Sequence, residues 1–363
     1  MTGANKGEWS ELYVLFKLLG EKKVHAGDGD LNKLEVYYPI LRILRNELER
    51  SLEYAVGDKD MVVITEDGVK VTEISVGEFL HNSVILFKEI KDGSRGNGSF
   101  EIPSLAGFLK KIHCEKIKAN SSDKADIHIV LHDYHTGMEP NLGFSIKSDV
   151  GSPPTLLNSS DATIFVYEVA GDGATDETME RVNTVEGKAK VQKRVNAIYD
   201  SGARLVFKKI NNDVFCGNLR MIDGNLPEML AWMMADSYLQ RDMDIRKATE
   251  RIKEANPMKF DLSLGHDYYG YKLKAMMTAV ALGMLPAKVW NGKYEATGGY
   301  LVVKDDGEVL CFHIYDRNTL EEYILKNTRF ETPSTKRYGF GEIYKKEDDC
   351  KYYFKLALQI RFK

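Results

Sequence analysis

Three side chains near the middle of the chain, Asp126, Ser145 and Lys147, have the types and spacing for phosphodiester chemistry. The stretch Ala125–Lys147 reads ADIHIVLHDYHTGMEPNLGFSIK, an apolar run Ile127–Leu131, a polar segment with Gly137, and a second run Gly143–Ile146. That pattern predicts a hairpin, and a turn centred on Thr136–Gly137 sets Asp126 directly opposite Lys147. Ser145 and Lys147 are two apart and share one face of their strand. A carboxylate at a strand start, facing a lysine on the next strand, suits a divalent cation held beside a phosphate. The lysine would orient or deprotonate the attacking water.

The elements around this hairpin are readable from periodicity. Trp9, Leu12, Phe16 and Leu19 recur at helical spacing and predict a helix over about Glu8–Gly20. Glu8 and Glu11 share a face beside that stripe, so a helix packed on the sheet would bring either one to a metal. Lys6, just ahead of it, is a candidate phosphate contact where helix N–H groups favour an anion. From Leu34 to about Ala55, YYPILRILRNELERSLEY predicts a second helix on Ile40, Leu41, Ile43, Leu44 and Leu48. Met61–Ile74 predicts a hairpin, Val76–Lys91 an amphipathic helix, and Pro103–Lys111 a short one; the loop Asp92–Ser99, with Arg95, would lie at the surface within reach of DNA. Beyond Lys147, Gly151-Ser152-Pro153-Pro154 breaks the strand. Thr155–Ser159 then predicts a helical turn and Ala162–Val169 a strand. Asp161 competes with Glu8 and Glu11 as a second acid, and Ser148, Ser152 and Asn158 are placed to grip a phosphate backbone.

Further along, Thr178–Asp200 predicts a polar helix running into the strand GARLVFKKI. Between Lys188 and Arg220 stand eight Lys/Arg and two acids, the footprint of phosphate contacts. Asn225 opens a long helix ended by Asn256-Pro257, and Tyr271–Leu285 is a compact apolar helix. From Tyr294 the pattern is β-rich, with a hairpin across Asp305-Asp306-Gly307 and a short helix at Thr319–Lys326. Arg329, Thr332, Ser334, Thr335, Lys336 and Arg337 then concentrate donors suited to guanine edges and phosphates, before a last strand YYFKLALQIRF.

Composition narrows the class. At 363 residues, 43% hydrophobic and 29% charged, the chain is an ordinary globular one and long enough for two packed domains. A net charge of −4 does not argue against nucleic acid, because a local basic cleft matters more than the total. Cys114, Cys216, Cys311 and Cys350 are widely separated with no CxxC, which points away from zinc and toward a reducing compartment. No segment reads as a signal peptide, and the best apolar run, Ala275–Leu285, is too short to span a bilayer, so a cytoplasmic protein without membrane association is expected.

Asp126 with Ser145-x-Lys147 resembles the PD-(D/E)xK nuclease signature, with serine where the second acid stands. Longer stretches resemble the HpaII-type restriction endonucleases: NKGEWSELYVLFKLL (Asn5–Leu19), ADIHI with GFSIKSDVGSPPTLLNSS (Ala125–Ser160), and NTRFETPSTKRYGFG with KLALQIRF near the end. They occur in order from one end of the chain to the other. The resemblance implies an α+β fold: a restriction-endonuclease-like core, its central mixed sheet flanked by helices, with helical and β-rich C-terminal additions. Residues 1–225 would form the catalytic region and 226–363 the sequence-recognition part. It further implies a type II enzyme that uses Mg²⁺ to cut double-stranded DNA at a short palindrome, with CCGG the family's namesake target. A cognate DNA methyltransferase would be the functional partner, and the enzyme a monomer or homodimer. Asp126 and Lys147 take the metal-ligand and lysine roles, and Glu8, Glu11 or Asp161 supplies the carboxylate missing at Ser145. Arg329 and Arg337 are the expected guanine readers. The alternatives are a catalytically silent DNA-binding protein, argued by Ser145, and a repair or structure-specific nuclease.

Overall fold

The computed structural model describes residues 3–363 apart from 48–49, 94–97, 118–124 and 135, and apart from the side chain of Tyr338. Arg95 and its immediate loop neighbours, and Leu48, thus lie outside the described residues. In chain order the elements are α1 (Lys6–Glu21), β1 (Lys23–Gly27), β2 (Lys33–Glu47), β3 (Arg50–Val56), β4 (Met61–Glu66), β5 (Val69–Ser75), α2 (Val76–Asp92), α3 (Ala106–Lys111), β6 (Ile127–Leu131) and β7 (Asn141–Ser148). They continue as β8 (Thr155–Leu157), β9 (Ile164–Ala170), α4 (Asp176–Asn183), α5 (Lys190–Asp200), β10 (Arg204–Ile210), α6 (Asp213–Ile222), α7 (Leu226–Gln240), α8 (Ile245–Ala255) and α9 (Tyr268–Leu282). The last are β11 (Gly299–Val303), β12 (Val309–His313), α10 (Arg317–Lys326), β13 (Thr328–Phe330), α11 (Thr335–Tyr338), β14 (Ile343–Lys345), β15 (Tyr352–Ala357) and β16 (Ile360–Phe362). The chain is thus mixed α+β.

It divides into two compact units: Met1–Pro154 with Tyr294–Tyr323, and Thr155–Lys293 with Ile324–Lys363. Residue 225 falls inside unit two. The hairpin β11–β12, far along the chain, belongs to unit one because β11 hydrogen-bonds in parallel to β7. Local periodicity predicts that a strand exists, not which distant strand it joins.

Unit one is built on a nine-stranded mixed sheet, β1-β12-β11-β7-β6-β2-β3-β4-β5. β1 also pairs with the first part of β2, so the pairings close a ring of six strands from which β3, β4 and β5 extend. α1 starts at the N-cap Asn5, whose side chain accepts from Glu8 N–H while the Glu8 carboxylate accepts from Asn5 N–H. Its stripe of Trp9, Leu12, Phe16 and Leu19 is fully buried in the unit-one core.

Residues 34–55 are strands, not the expected helix. The pairing of β2 with β6 shifts between Ile40 and Arg42. This irregularity moves Ile43 onto the buried side after Tyr38 and Ile40, so a period-2 strand carries apolar residues at a helix-like spacing. The far end of β2 is clamped by ions. Arg45 Nε donates to Glu47 Oε1 at 2.8 Å, and Glu47 Oε2 accepts from Glu115 N–H at 2.9 Å. Burial pushes the Glu47 carboxyl up, but the Arg45 guanidinium and the Glu115 amide outweigh it and hold the group below its ordinary value of 4.5. Its folded form therefore binds fewer protons than the unfolded chain, and this stability is present above pH 4.5 and lost as pH falls through the folded pKa. Glu47→Gln is expected to cost about 3–5 kcal/mol at neutral pH, because Arg45 is left buried and unpaired. Denaturant titrations at a series of pH values should show the gap to wild type narrowing below pH 4.5.

Unit two holds a four-stranded antiparallel sheet, β10-β9-β15-β14, and a three-stranded one, β13-β16-β8. Thr155–Leu157 is a strand of the latter and not a helical turn, because its backbone pairs with β16. YYFKLALQIRF is likewise two strands in two sheets. The long helix expected from Asn225 breaks into α7 and α8. Arg241 adopts a left-handed φ of 58°, and Asp244 caps α8 by accepting from Lys247 N–H. α4 and α5 similarly replace one helix, with Gly187 at φ 91° between them. Within the basic stretch, Arg194 is wholly buried, donating to the carbonyl oxygens of Val185, Gly341 and Asn183. It is a structural tie to the loop after α11, and no phosphate contact.

Candidate active site

β6 and β7 pair with Ile127 opposite Phe144. One further step puts Asp126 across from Ser145, with Asp126 N–H donating to Phe144 O at 2.8 Å. The expected register, Asp126 against Lys147, is therefore out by two residues, because the segment between the strands turns about an earlier centre. A shift of two preserves the face, so all three side chains still meet.

Their meeting is a chain of hydrogen bonds. Asp126 Oδ2 accepts from Ile146 N–H at 2.7 Å and from Ser145 Oγ at 3.1 Å. Ser145 is only 2% exposed, and its Oγ accepts in turn from Lys147 Nζ at 3.1 Å. Serine in place of the acid thus links the acid to the lysine. Among the described residues the hydrogen bonds to the Asp126 carboxylate fall on Oδ2.

α1 delivers the next group. It packs on β7, where Ser10 Oγ donates to Ser148 Oγ at 2.9 Å. Glu11, the next residue, acts electrostatically on Lys147. Burial pushes the Lys147 ammonium below its ordinary range, and the charges of Asp126 and then Glu11 offset part of that. A lysine so placed loses its proton more readily than a solvated one. Glu8 is occupied differently, in the cap of α1.

Sequence reasoning missed Tyr300. Register places it beside Ser145, and Lys147 Nζ lies 5.1 Å from its ring centroid. Burial, and then the charge of Asp126, raise the pKa of this fully buried phenol, which stays protonated at neutral pH. No local signal marks it, since its place depends on the β7–β11 pairing.

The remaining expected residues fall into both units. Lys6 Nζ donates to Lys91 O at 3.3 Å, and Ser148 is held by Ser10, while Ser152 is exposed. Asp161 belongs to unit two, where Asn211 Nδ2 lies 3.1 Å from both its oxygens. Asn158, Thr332, Ser334, Lys336 and Arg337 are exposed in unit two, with Arg329 and Thr335 half-exposed. Thr332 Oγ1 is 2.9 Å from the hydroxyl of buried Tyr238.

Asp126 and Glu11 are hard oxygen donors. Mg²⁺ commonly takes one or two carboxylates from a protein, with water and substrate phosphate completing its shell. Among the described residues no group of three or more His, Cys, Asp or Glu converges, which separates this arrangement from an all-protein cage. The residues present fit a hard divalent cation.

An acid at the start of β6 and a lysine linked to it through Ser145 have the chemistry a phosphodiesterase needs, and comparison with known proteins specifies the class as type II restriction endonuclease. Residues 5–362 match the family described as HpaII restriction endonuclease. The type II restriction enzyme HpaII of Haemophilus parainfluenzae is 45% identical over 359 residues, 99% of this chain and 98% of that one. The chain belongs to the HpaII restriction endonuclease family, and its activity is site-specific cleavage of DNA. No solved structure matches it. Among the described residues no helix is long and apolar enough to cross a membrane.

Proposed function

We propose that this endonuclease uses Mg²⁺ to hydrolyse duplex DNA at CCGG, with Asp126, Glu11 and Lys147 as its working groups. The linked chain Asp126–Ser145–Lys147, with the charge of Glu11 acting on it, carries the reading. Asp126 and Glu11 would hold the cation. When bound, a hard divalent cation supplies Lewis-acid stabilisation of charge building on the scissile phosphate. Lys147, held by Ser145, orients the attacking water or donates to a phosphate oxygen as negative charge develops there. The buried Tyr300 ring flanks the Lys147 ammonium. Unit two supplies base reading through the segment Arg329–Arg337, and the flanking lysines and hydroxyls hold phosphates. The target CCGG is what the resemblance to the HpaII-type enzymes implies. A cytoplasmic enzyme paired with a methyltransferase of the same specificity completes the reading, with a monomer or homodimer as its assembly.

The test is digestion of unmethylated phage-length DNA in Mg²⁺. Discrete fragments ending at CCGG are expected, and prior methylation of that sequence should abolish them. A smear, a preference for mismatched or branched duplexes, or binding without cutting would overturn the reading.

A further inference from the structure

β13 and β16 run antiparallel with Arg329 directly opposite Arg361. The ladder continues one step, Glu331 N–H donating to Gln359 O at 3.0 Å. Thr328, Phe330, Ile360 and Phe362 are buried on one side of this ribbon. Strand alternation therefore gathers Arg329, Glu331, Gln359 and Arg361 on the other. Two arginines opposite each other repel, and β-branched or aromatic pairs there would serve the sheet better. Glu331 relieves only part of this: its Oε2 lies 2.7 Å from Arg361 Nε, but its Oε1 is 4.0 Å from Arg329 Nη2. The Arg361–Glu331 approach is an ion pair without hydrogen-bond geometry, so Arg329 Nε, Arg361 Nε and Glu331 Oε2 are each buried without a hydrogen-bond partner among the described residues. Glu331, Gln359 and Arg361 line a cavity of about 460 Å³ that Asn158 and Arg337 also line. Gln359 is 8% exposed, its side-chain oxygen accepting from Ser159 Oγ at 3.2 Å, so the cavity wall is ordered.

We propose that this cavity reads a C·G base pair by its edges, with Arg361, Glu331 and Gln359 as specificity-determining residues. Guanine offers O6 and N7, two acceptors that a guanidinium fork spans, and cytosine offers its N4 amino group as a donor. Arg361 supplies the fork. Glu331 fixes that fork and accepts from the amino group, with the oxygen of Gln359 beside it. Two cationic side chains in the cavity wall, Arg361 and Arg337, against one carboxylate favour a polyanionic partner. The inference rests on the reading of the chain as a nuclease for a short G/C site.

The test is gel-shift binding, with Ca²⁺ in place of Mg²⁺, to three duplexes: one containing CCGG, the same with 7-deazaguanine, which lacks the N7 acceptor, and one without the site. Arg361→Ala is expected to weaken binding to the CCGG duplex about 10- to 100-fold and leave the site-free duplex within a few-fold. The loss that wild type suffers from 7-deazaguanine should vanish in the variant. Arg361→Lys, which keeps the charge without the fork, should behave like the alanine variant, and retained binding of both to the site-free duplex shows that they are folded. Glu331→Gln should lower the preference for the CCGG duplex in the same direction. Equal losses on all three duplexes would show a phosphate contact, and unchanged discrimination would show a structural ladder; either overturns the proposal. Wild type that does not distinguish CCGG from site-free DNA would instead overturn the target assignment on which it rests.

Discussion

Lys147→Ala is expected to lower single-turnover cleavage by about 10²- to 10⁴-fold while binding of the duplex changes only a few-fold. Lys147 is linked to Asp126 through Ser145, and truncation removes the donor without removing a backbone strand pairing. Asp126→Asn should match or exceed this loss. It keeps the size of the side chain and an oxygen to accept from Ile146 N–H, and removes only the charge that would hold a cation. Lys147→Arg separates two roles. If charge alone mattered, arginine would restore most of the rate; if a compact donor that can shed its proton is required, it stays near the alanine value. Thermal unfolding of each variant checks the fold. Cleavage by Lys147→Ala within ten-fold of wild type would remove the lysine from the mechanism.

Glu11→Gln carries the second large effect. If Glu11 replaces the acid missing at Ser145, this change should raise the Mg²⁺ concentration for half-maximal cleavage by about 10- to 100-fold, with a comparable drop in rate below saturation. Glu8→Gln should instead leave Mg²⁺ dependence alone and cost only about 0.5 kcal/mol of stability, since glutamine keeps an oxygen for the Asn5 N–H and only the charge beside the helix N-terminus is lost. Asp161→Asn should do neither, because its exposed carboxylate is engaged by Asn211. A Mg²⁺ titration of the three variants ranks the candidates directly. A shift in Asp161→Asn and none in Glu11→Gln would transfer the role to unit two.

Much of this site was legible in the chain as written. Asp126, Ser145 and Lys147 declare themselves by alternation, since a period of two lets residue types be assigned to faces without knowing any partner. α1, with its stripe and its acids at positions 8 and 11, was equally plain, because helices are encoded by neighbours three and four apart. The alternation Arg329-Phe330-Glu331 against Gln359-Ile360-Arg361 was also present in the sequence. What it lacked was the register that sets the two segments side by side.

Tertiary structure decided the rest, and in each case through pairing between distant segments. Pairing with β1, β3 and β6 made residues 33–47 the strand β2, and the register shift near Arg42 gave it a helix-like apolar spacing. Tyr300 reached Lys147 only because β11 pairs with β7 across more than a hundred residues of chain. That the charge of Glu11 acts on Lys147 while Glu8 completes the helix cap depends on how α1 is seated against β7. Types and spacing determine which chemistry the side chains are capable of. Long-range backbone hydrogen bonds, which carry no local periodic signature, determine which of them meet.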